Sequence, residues 1–278
     1  MILVTGATGT IGRTVLTLLA ERDVPVRAMS RTPERIPAGF DTVKADFEDA
    51  DSLRRAVDGV DTVFLLSAPG PHIPRHDLAL LDVAGDVNKV VKLSAMKTGE
   101  PGFEVTSGWH LPGERAIQDS DRDWVVVRPS AFASNSLAWL PQIQAGQPIP
   151  SPYGDGAIGV VDPRDVAAVA AEALISDEHN KQTYTLTGPE PLSVADQVAR
   201  LTEVLGKSLS SVDVPADAVR AGMLAQGMDS AGVDLALKGF EIVRTGSAAF
   251  VTDDVARVLG RAPGTFQDWV ADHRELFS

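Results

Sequence analysis

The sequence predicts a doubly wound α/β fold, a parallel sheet covered by helices on both faces, with a smaller and mostly helical C-terminal lobe. Three observations carry this reading. The short apolar run Ile2-Leu3-Val4 passes directly into three glycines spaced by three, Gly6, Gly9 and Gly12, and then into apolar residues at helical spacing, Ile11, Val15, Leu18 and Leu19. Strand and helix patterns then alternate as far as Arg128, the order that a parallel sheet with crossover helices requires. Beyond Arg128 the alternation loosens into proline- and glycine-rich sequence and further helical patterns.

The elements follow in order. Residues 25–29 and 42–45 read as the second and third strands. A short helix over 49–58 is marked by Leu53 and Val57 four apart. The run DTVFLL at 61–66 is rich in branched and apolar residues and reads as a buried strand. A helix is expected over 78–87, a strand over 88–93, a helix over 112–120, and the strand WVVVR over 124–128. Residues 141–159 read as a loop. A helix then starts at Asp162-Pro163-Arg164-Asp165, with Asp162 as its cap and Pro163 in its first position. A late strand covers 182–187. Ser193 caps a helix that Gly206 stops, and Thr265 with Asp268 forms a last capping pair. The division expected is a Rossmann-type domain over 1–135, to which 157–187 return, and a substrate lobe made of 136–156 and 188–278.

Composition narrows the function. The chain has 278 residues, a formal net charge of −13, 44% hydrophobic residues and no cysteine. The acidic balance disfavours nucleic acid and anionic membranes as partners. Without cysteine there is no disulfide, no thiolate metal site and no cysteine nucleophile. No basic leader precedes the first strand and no segment reaches the length of an apolar membrane span, so a cytoplasmic protein acting on a small molecule, as monomer or homodimer, is expected. His72 and His76 are four apart, but Pro74 lies between them and no third ligand is near, so no metal is expected.

Strand, glycine turn and helix together form the construction that holds a dinucleotide pyrophosphate. Gly6 permits the turn, Gly9 lets the backbone approach the phosphates, and Gly12 lets the helix pack on the strand. Thr8, Thr10 and Ile11 belong to the same cradle, where the helix N-terminus presents free N–H groups to an anion. The second strand ends in Ser30-Arg31 with no acid, where a carboxylate would favour NAD. Arg31 can pair with a 2′-phosphate and Ser30 can donate to it, so NADP(H) is expected. Asp46 and Phe47 follow the third strand where an adenine would lie. Ser67-Ala68-Pro69 follow the fourth, where small residues let the chain pass the nicotinamide-side ribose. Ser94 and Lys97 follow the fifth strand, with Lys97 read chiefly as a solvated cation.

The chain resembles the atypical short-chain dehydrogenases of the NmrA-like group. The matching pieces are Thr5 to Gly12, Ser30-Arg31, Ala45-Asp46-Phe47, His110 with Glu114, Arg128-Pro129 with Phe132 and Asn135, Val161 to Ala167, and Leu259 to Phe266 with Trp269. The resemblance implies NADPH-dependent reduction of quinones or azo dyes, or NADP sensing with little turnover. It also exposes a departure. Ordinary short-chain dehydrogenases carry Tyr-x-x-x-Lys, whereas this chain places His110 at the lysine position and Thr106 at the tyrosine position. A threonine hydroxyl is far too weak an acid to replace a phenol.

His110 is the best remaining polar candidate, either as a proton donor or as a partner of the nicotinamide ribose. Phe132 packs on the nicotinamide or in the core; Asn135 ties down the loop. Glu114 is read as a local structural acid, and Trp109, Trp139, Tyr153, Met223 and Met228 as packing residues or pocket walls. Three functions follow: an NADPH-dependent oxidoreductase acting on a quinone-like, azo or conjugated carbonyl acceptor, an NADP-binding regulator without turnover, or a non-redox isomerase or cyclase.

Overall fold

The computed structural model describes residues 1–277, the side chains of Val105 and Thr106 excepted. From the N-terminus, β1 (Ile2–Val4), α1 (Thr10–Ala20), β2 (Val26–Ser30), β3 (Asp41–Lys44), α2 (Ala50–Val57), β4 (Thr62–Leu65), α3 (Ile73–Val83), β5 (Lys89–Leu93), α4 (Glu104–Ser107), α5 (Leu111–Gln118) and β6 (Asp123–Pro129) follow one another. Next come β7 (Ala131–Phe132), α6 (Leu140–Ala145), β8 (Ile149–Ser151), β9 (Ile158–Val161), α7 (Pro163–Ile175), β10 (Gln182–Leu186), β11 (Pro191–Leu192), α8 (Val194–Leu205) and β12 (Ser211–Asp213). The chain ends through α9 (Ala216–Ala225), α10 (Ser230–Arg244), α11 (Asp254–Leu259) and α12 (Phe266–Asp272).

Seven strands form one sheet in the order β10-β6-β5-β4-β1-β2-β3, and every pair in it is parallel. Strand order reverses between β1 and β4, which opens a crevice at their carboxyl ends. Alternation along the strands divides the core. Val4, Phe64, Val91, Val125 and Val127 pack with α1 and α7 on one face. Leu3, Val63, Leu65, Val90 and Val126 pack with α2, α3 and α5 on the other. Successive side chains of a strand point to opposite faces, so a strand buried on both sides is apolar throughout; all five residues of β5 are buried, Lys89 and Lys92 included.

A third core gathers Ile143, Ile149, Val160, Leu192, Val198, Leu201, Trp269 and Phe277 beside the sheet. It corrects the expectation of a loop over 141–159. Those residues supply most of α6, all of β8 and the first half of β9, because Ile143 and Ile149, and Val160 just beyond them, are anchored in this core. Gly146 ends α6 in the left-handed conformation at φ 63°. Strand β8 pairs with β12, and β9 with β7 and β11. The helix expected over 78–87 is α3, which starts at Ile73 and stops at Val83. Pro74 sits in its first turn, where a missing N–H costs nothing.

Helix caps follow the sequence closely. Asp162 accepts from the Arg164 N–H. Ser193 and Asp196 form a reciprocal capping box, Gly206 closes α8 at φ 66°, and Thr265 caps α12 by accepting from the Asp268 N–H.

Candidate functional site

The crevice is built from β1 outward. Gly6 turns the chain at φ 61°, and a Cβ added to Gly12 would stand 2.3 Å from the Gly6 carbonyl oxygen. Only glycine at position 12 lets α1 begin this close to the turn. Thr5 locks the turn to the next strand by donating to the Phe64 and Leu66 carbonyls, each at 3.0 Å, and accepting from the Leu66 N–H at 2.7 Å. Helix α1 opens at Gly9 with no side-chain cap, which leaves its first N–H groups for an anion.

A cleft of about 480 Å³ lies over this turn. Its walls bring together Gly6, Thr8, Gly9, Thr10, Ile11, Ser30, Arg31, Asp46, Phe47, Ser67, Ala68, Pro69 and Phe132, most of the residues expected at a cofactor. Arg31 is exposed, and no hydrogen bond or ion pair ties its guanidinium to the described residues. Asp46 folds its own loop by accepting from the Glu48 N–H at 3.1 Å. Phe47 stacks on His76 with centroids 5.1 Å apart and planes 9° from parallel. His76, whose Nε2 lies 2.8 Å from Glu48, also lines the cleft and, with Ser134, is a polar residue that sequence reasoning missed there. His72 stacks on it in turn at 5.7 Å; among the described residues no three His, Asp or Glu side chains are gathered as a metal site needs.

Ser67 is set from behind. Its hydroxyl donates to Asp77 Oδ1 at 2.7 Å, and Asp77 Oδ2 accepts from Lys92. Asp77 and Lys92 are both fully buried. The one proton of Ser67 is therefore committed, so toward the cleft it offers only lone pairs.

Gly12, Ser94 and His110 are not among the cleft-lining residues. Gly12 acts from beneath. Ser94 is buried and donates to Glu114, which is also clamped by Arg128 through Nε at 3.0 Å and Nη2 at 2.5 Å. This makes Glu114 the structural acid expected. His110 leads into α5, and its Nδ1 is buried without a hydrogen-bond partner. Burial first, and then the Lys92 charge, push its pKa down to about 3, which favours the neutral ring near pH 7. Thr106 lies outside the described side chains. Lys97 pairs with Glu100 at 2.8 Å and lies over the Phe250 ring at 4.7 Å.

Beside the cleft is an apolar cavity of about 620 Å³. Trp109, Tyr153 and Met228 form part of its wall, and the Gly232, Ala236, Gly239 face of α10 lies against it. The two volumes share three strand ends. After β4, Pro69 lines the cleft and Pro71 the cavity; at the end of β5, Leu93 lines the cleft while Ala95 and Met96 line the cavity; at the end of β6, Pro129 and Ser130 line the cavity and Phe132 the cleft. Trp139 and Asn135 line a third, smaller cavity that also touches Tyr153; Met223 lines none of the three.

Residues 6–177 match the NAD(P)H-binding family. The chain belongs to that family. It is 38% identical to (4-alkanoyl-5-oxo-2,5-dihydrofuran-3-yl)methyl phosphate reductase of Streptomyces griseus subsp. griseus, over all of this chain and 99% of that protein. It is 31% identical to NAD(P)H azoreductase of Xenophilus azovorans, over 100% and 99% of the two chains. The NADPH complex of Escherichia coli quinone oxidoreductase QOR2 superposes with a TM-score of 0.85 at 22% identity, covering 99% of this chain and all of that one. Triphenylmethane reductase of Citrobacter sp. with NADP(H) gives 0.83 at 21%, covering 98% and 99%. This NAD(P)H-binding chain is thus a member of a reductase family with the same α/β fold.

Proposed function

We propose that the chain is an NADPH-dependent reductase that passes hydride to a quinone-like, azo or conjugated carbonyl small molecule. The single observation that carries this is that both volumes draw wall residues from the ends of β4, β5 and β6. Gly6 to Gly12 would hold the phosphates of a dinucleotide in the cleft that Leu93 and Phe132 also line, and the apolar cavity would hold an acceptor. The bound cofactor supplies two electrons and a proton as hydride; the acceptor takes its second proton from solvent. Such acceptors accept hydride readily, so holding the two reactants in register supplies much of the acceleration. The protein's part is to bind both partners and keep water from the junction.

A second reading, an NADP-binding sensor without turnover, is favoured by the lack of the Tyr-x-x-x-Lys pair and by the neutral state of His110. Loss of NADPH absorbance with a panel of quinones, azo dyes and ketones separates the two. Acceptor-dependent oxidation is expected with at least one quinone or azo dye. NADPH binding without oxidation by any of them would leave the sensor, or a non-redox isomerase or cyclase.

A further inference from the structure

A polar side chain stands unpaired in the third cavity, the one that Trp139 and Asn135 line. This cavity measures about 280 Å³. Gln197 of α8 lines it and is 9% exposed. Its amide has no hydrogen-bond partner among the described residues, yet neither amide atom is sealed off, since both keep accessible surface. The helix sets its direction. Val194, Val198, Leu201 and Leu205 form the buried stripe of α8. Gln197 lies three residues after Val194 and four before Leu201, on that same stripe. A helical side chain leans over the turn that precedes it, which brings Gln197 toward Val194, the other α8 residue on the cavity wall. A buried amide left unpaired is unfavourable, and the cavity is where its partner can sit.

The rest of the wall defines that partner. Phe132, Trp139 and Tyr153 supply rings, and no wall residue carries a formal charge. The Ser136 hydroxyl is spent on the Ala133 carbonyl at 2.7 Å. Burial raises the Tyr153 pKa, so that phenol stays neutral. Arg244, next to the wall residue Val243, is bound by Asp213 at 2.6 Å and by the Pro152 carbonyl at 3.1 Å. A charged ligand would be stripped of water against carbon and neutral groups, with no counter-charge. A primary amide donates and accepts at once, so it suits a ring carbonyl or a ring hydroxyl. The wall is also closely fitted: a Cβ added to Gly156 would stand 2.3 Å from the Val243 carbonyl oxygen.

We propose that this cavity is a second small-molecule pocket, which binds an uncharged aromatic ring bearing a carbonyl or hydroxyl oxygen and holds that oxygen with the Gln197 amide. It has Phe132 in common with the cofactor cleft, and Tyr153, Ile158 and Val243 in common with the larger cavity. Its occupant therefore touches side chains that the larger cavity also uses. Binding there requires no hydride transfer, so it stands apart from the reductase reading.

The probe is coumarin, an uncharged aromatic lactone, added to ¹⁵N-labelled protein in excess NADP⁺ so that the nucleotide cleft is filled. The side-chain NH₂ resonances of Gln197, identified by their absence from Gln197→Leu, should move progressively as coumarin is added. By calorimetry Gln197→Leu should bind coumarin about 3- to 10-fold more weakly, the range of one lost hydrogen bond. Without coumarin the variant should melt at or above the wild-type temperature, because an apolar side chain replaces an unpaired amide; an amide with a merely structural bond would give a lower one. Coumarin-3-carboxylate, the same ring with a charge, should leave the resonances in place at the same concentrations. Resonances unmoved by coumarin, equal affinity in wild type and variant, a lowered melting temperature of the variant, or equal shifts with the carboxylate would each overturn the proposal. Coumarin bound as expected by a protein that oxidises NADPH with no acceptor would keep this pocket and remove the reductase reading.

Discussion

Arg31 stands just past β2 with its guanidinium paired to none of the described residues, on the wall of a cleft floored by the glycine turn. A 2′-phosphate there would gain a charge-assisted and often bidentate contact. Arg31→Ala should therefore weaken NADPH binding about 10- to 100-fold, the equivalent of roughly 1.5–3 kcal/mol, and leave NADH affinity nearly unchanged; parallel fluorescence titrations of both cofactors measure this. His110 makes a different prediction. Its folded pKa of about 3 lies below the ordinary ~6.5 of an unfolded histidine. As pH falls, the unfolded chain takes up the proton first, so this contribution to stability is complete above about pH 6.5 and is lost as pH falls toward 3. His110→Gln should flatten the stability profile in that window by about 2 kcal/mol, below the full linkage value because the ring is partly exposed. Urea midpoints at pH 7, 5 and 4 read the difference, and parallel profiles for wild type and variant would contradict it. The residues legible in the sequence were those whose role is local: Gly6 and Gly12 by backbone geometry, Arg31 by strand-end position. Ser94 and His110 read as site residues from strand-end position and family resemblance. Their surroundings are set by Glu114, Arg128 and Lys92, which no sequence spacing brings together.

Between elements, the strongest polar link is the buried Asp77–Lys92 pair, which joins α3 to β5 beneath Ser67. Gly113 of α5 belongs to the same junction, because a Cβ there would stand 2.4 Å from the Asp77 carboxylate. Removing either partner leaves an uncompensated buried charge, so Asp77→Ala or Lys92→Ala should cost about 3–5 kcal/mol. Replacing both with Leu and Met should recover most of this, since a packed apolar pair replaces two desolvated ions. Chemical denaturation of the two single variants and the double variant measures the coupling, and additive losses would show that the pair does not act as a unit. Loss of Asp77 also frees the proton of Ser67. The alternation that exposed β1, β4, β5 and β6 also hid this link, because Lys92 interrupts an otherwise apolar strand and its partner lies fifteen residues back. Element ends were legible where a cap marks them, as at Ser193, Gly206 and Thr265. They failed at α3, whose Pro74 starts a helix, and over 141–159, where proline and glycine sit between anchors of a core formed by distant segments.

At the scale of the molecule, the C-terminal segment is tied to the sheet unit by polar cross-links as well as by packing. Arg164 at the start of α7 binds Asp272 of α12 at 2.6 Å. Asp165 holds Arg261 at 2.6 Å and the Gly264 N–H at 2.7 Å. The Thr185 N–H of β10 donates to Asp254 of α11 at 2.7 Å. Asp165 and Asp254 are buried, so opening the C-terminal segment would leave carboxylates and backbone groups of α7 and β10 unpaired. The two parts should accordingly unfold together, in one calorimetric transition. A ligand that binds only the native state then stabilises the whole: NADP⁺ at about 100 times its Kd contributes roughly 2.7 kcal/mol. With an unfolding entropy near 2.1 cal/mol/K per residue, that moves the midpoint of a chain this long by about 4–5 °C. Because the cleft and the apolar cavity draw walls from the same strands β4, β5 and β6, a quinone bound in the cavity beside NADP⁺ should raise the same single midpoint further. Two transitions, with only the higher or the lower one moved by NADP⁺, would mean that the cross-links do not couple the acceptor cavity to the cofactor cleft, and that the acceptor side folds as an independent unit.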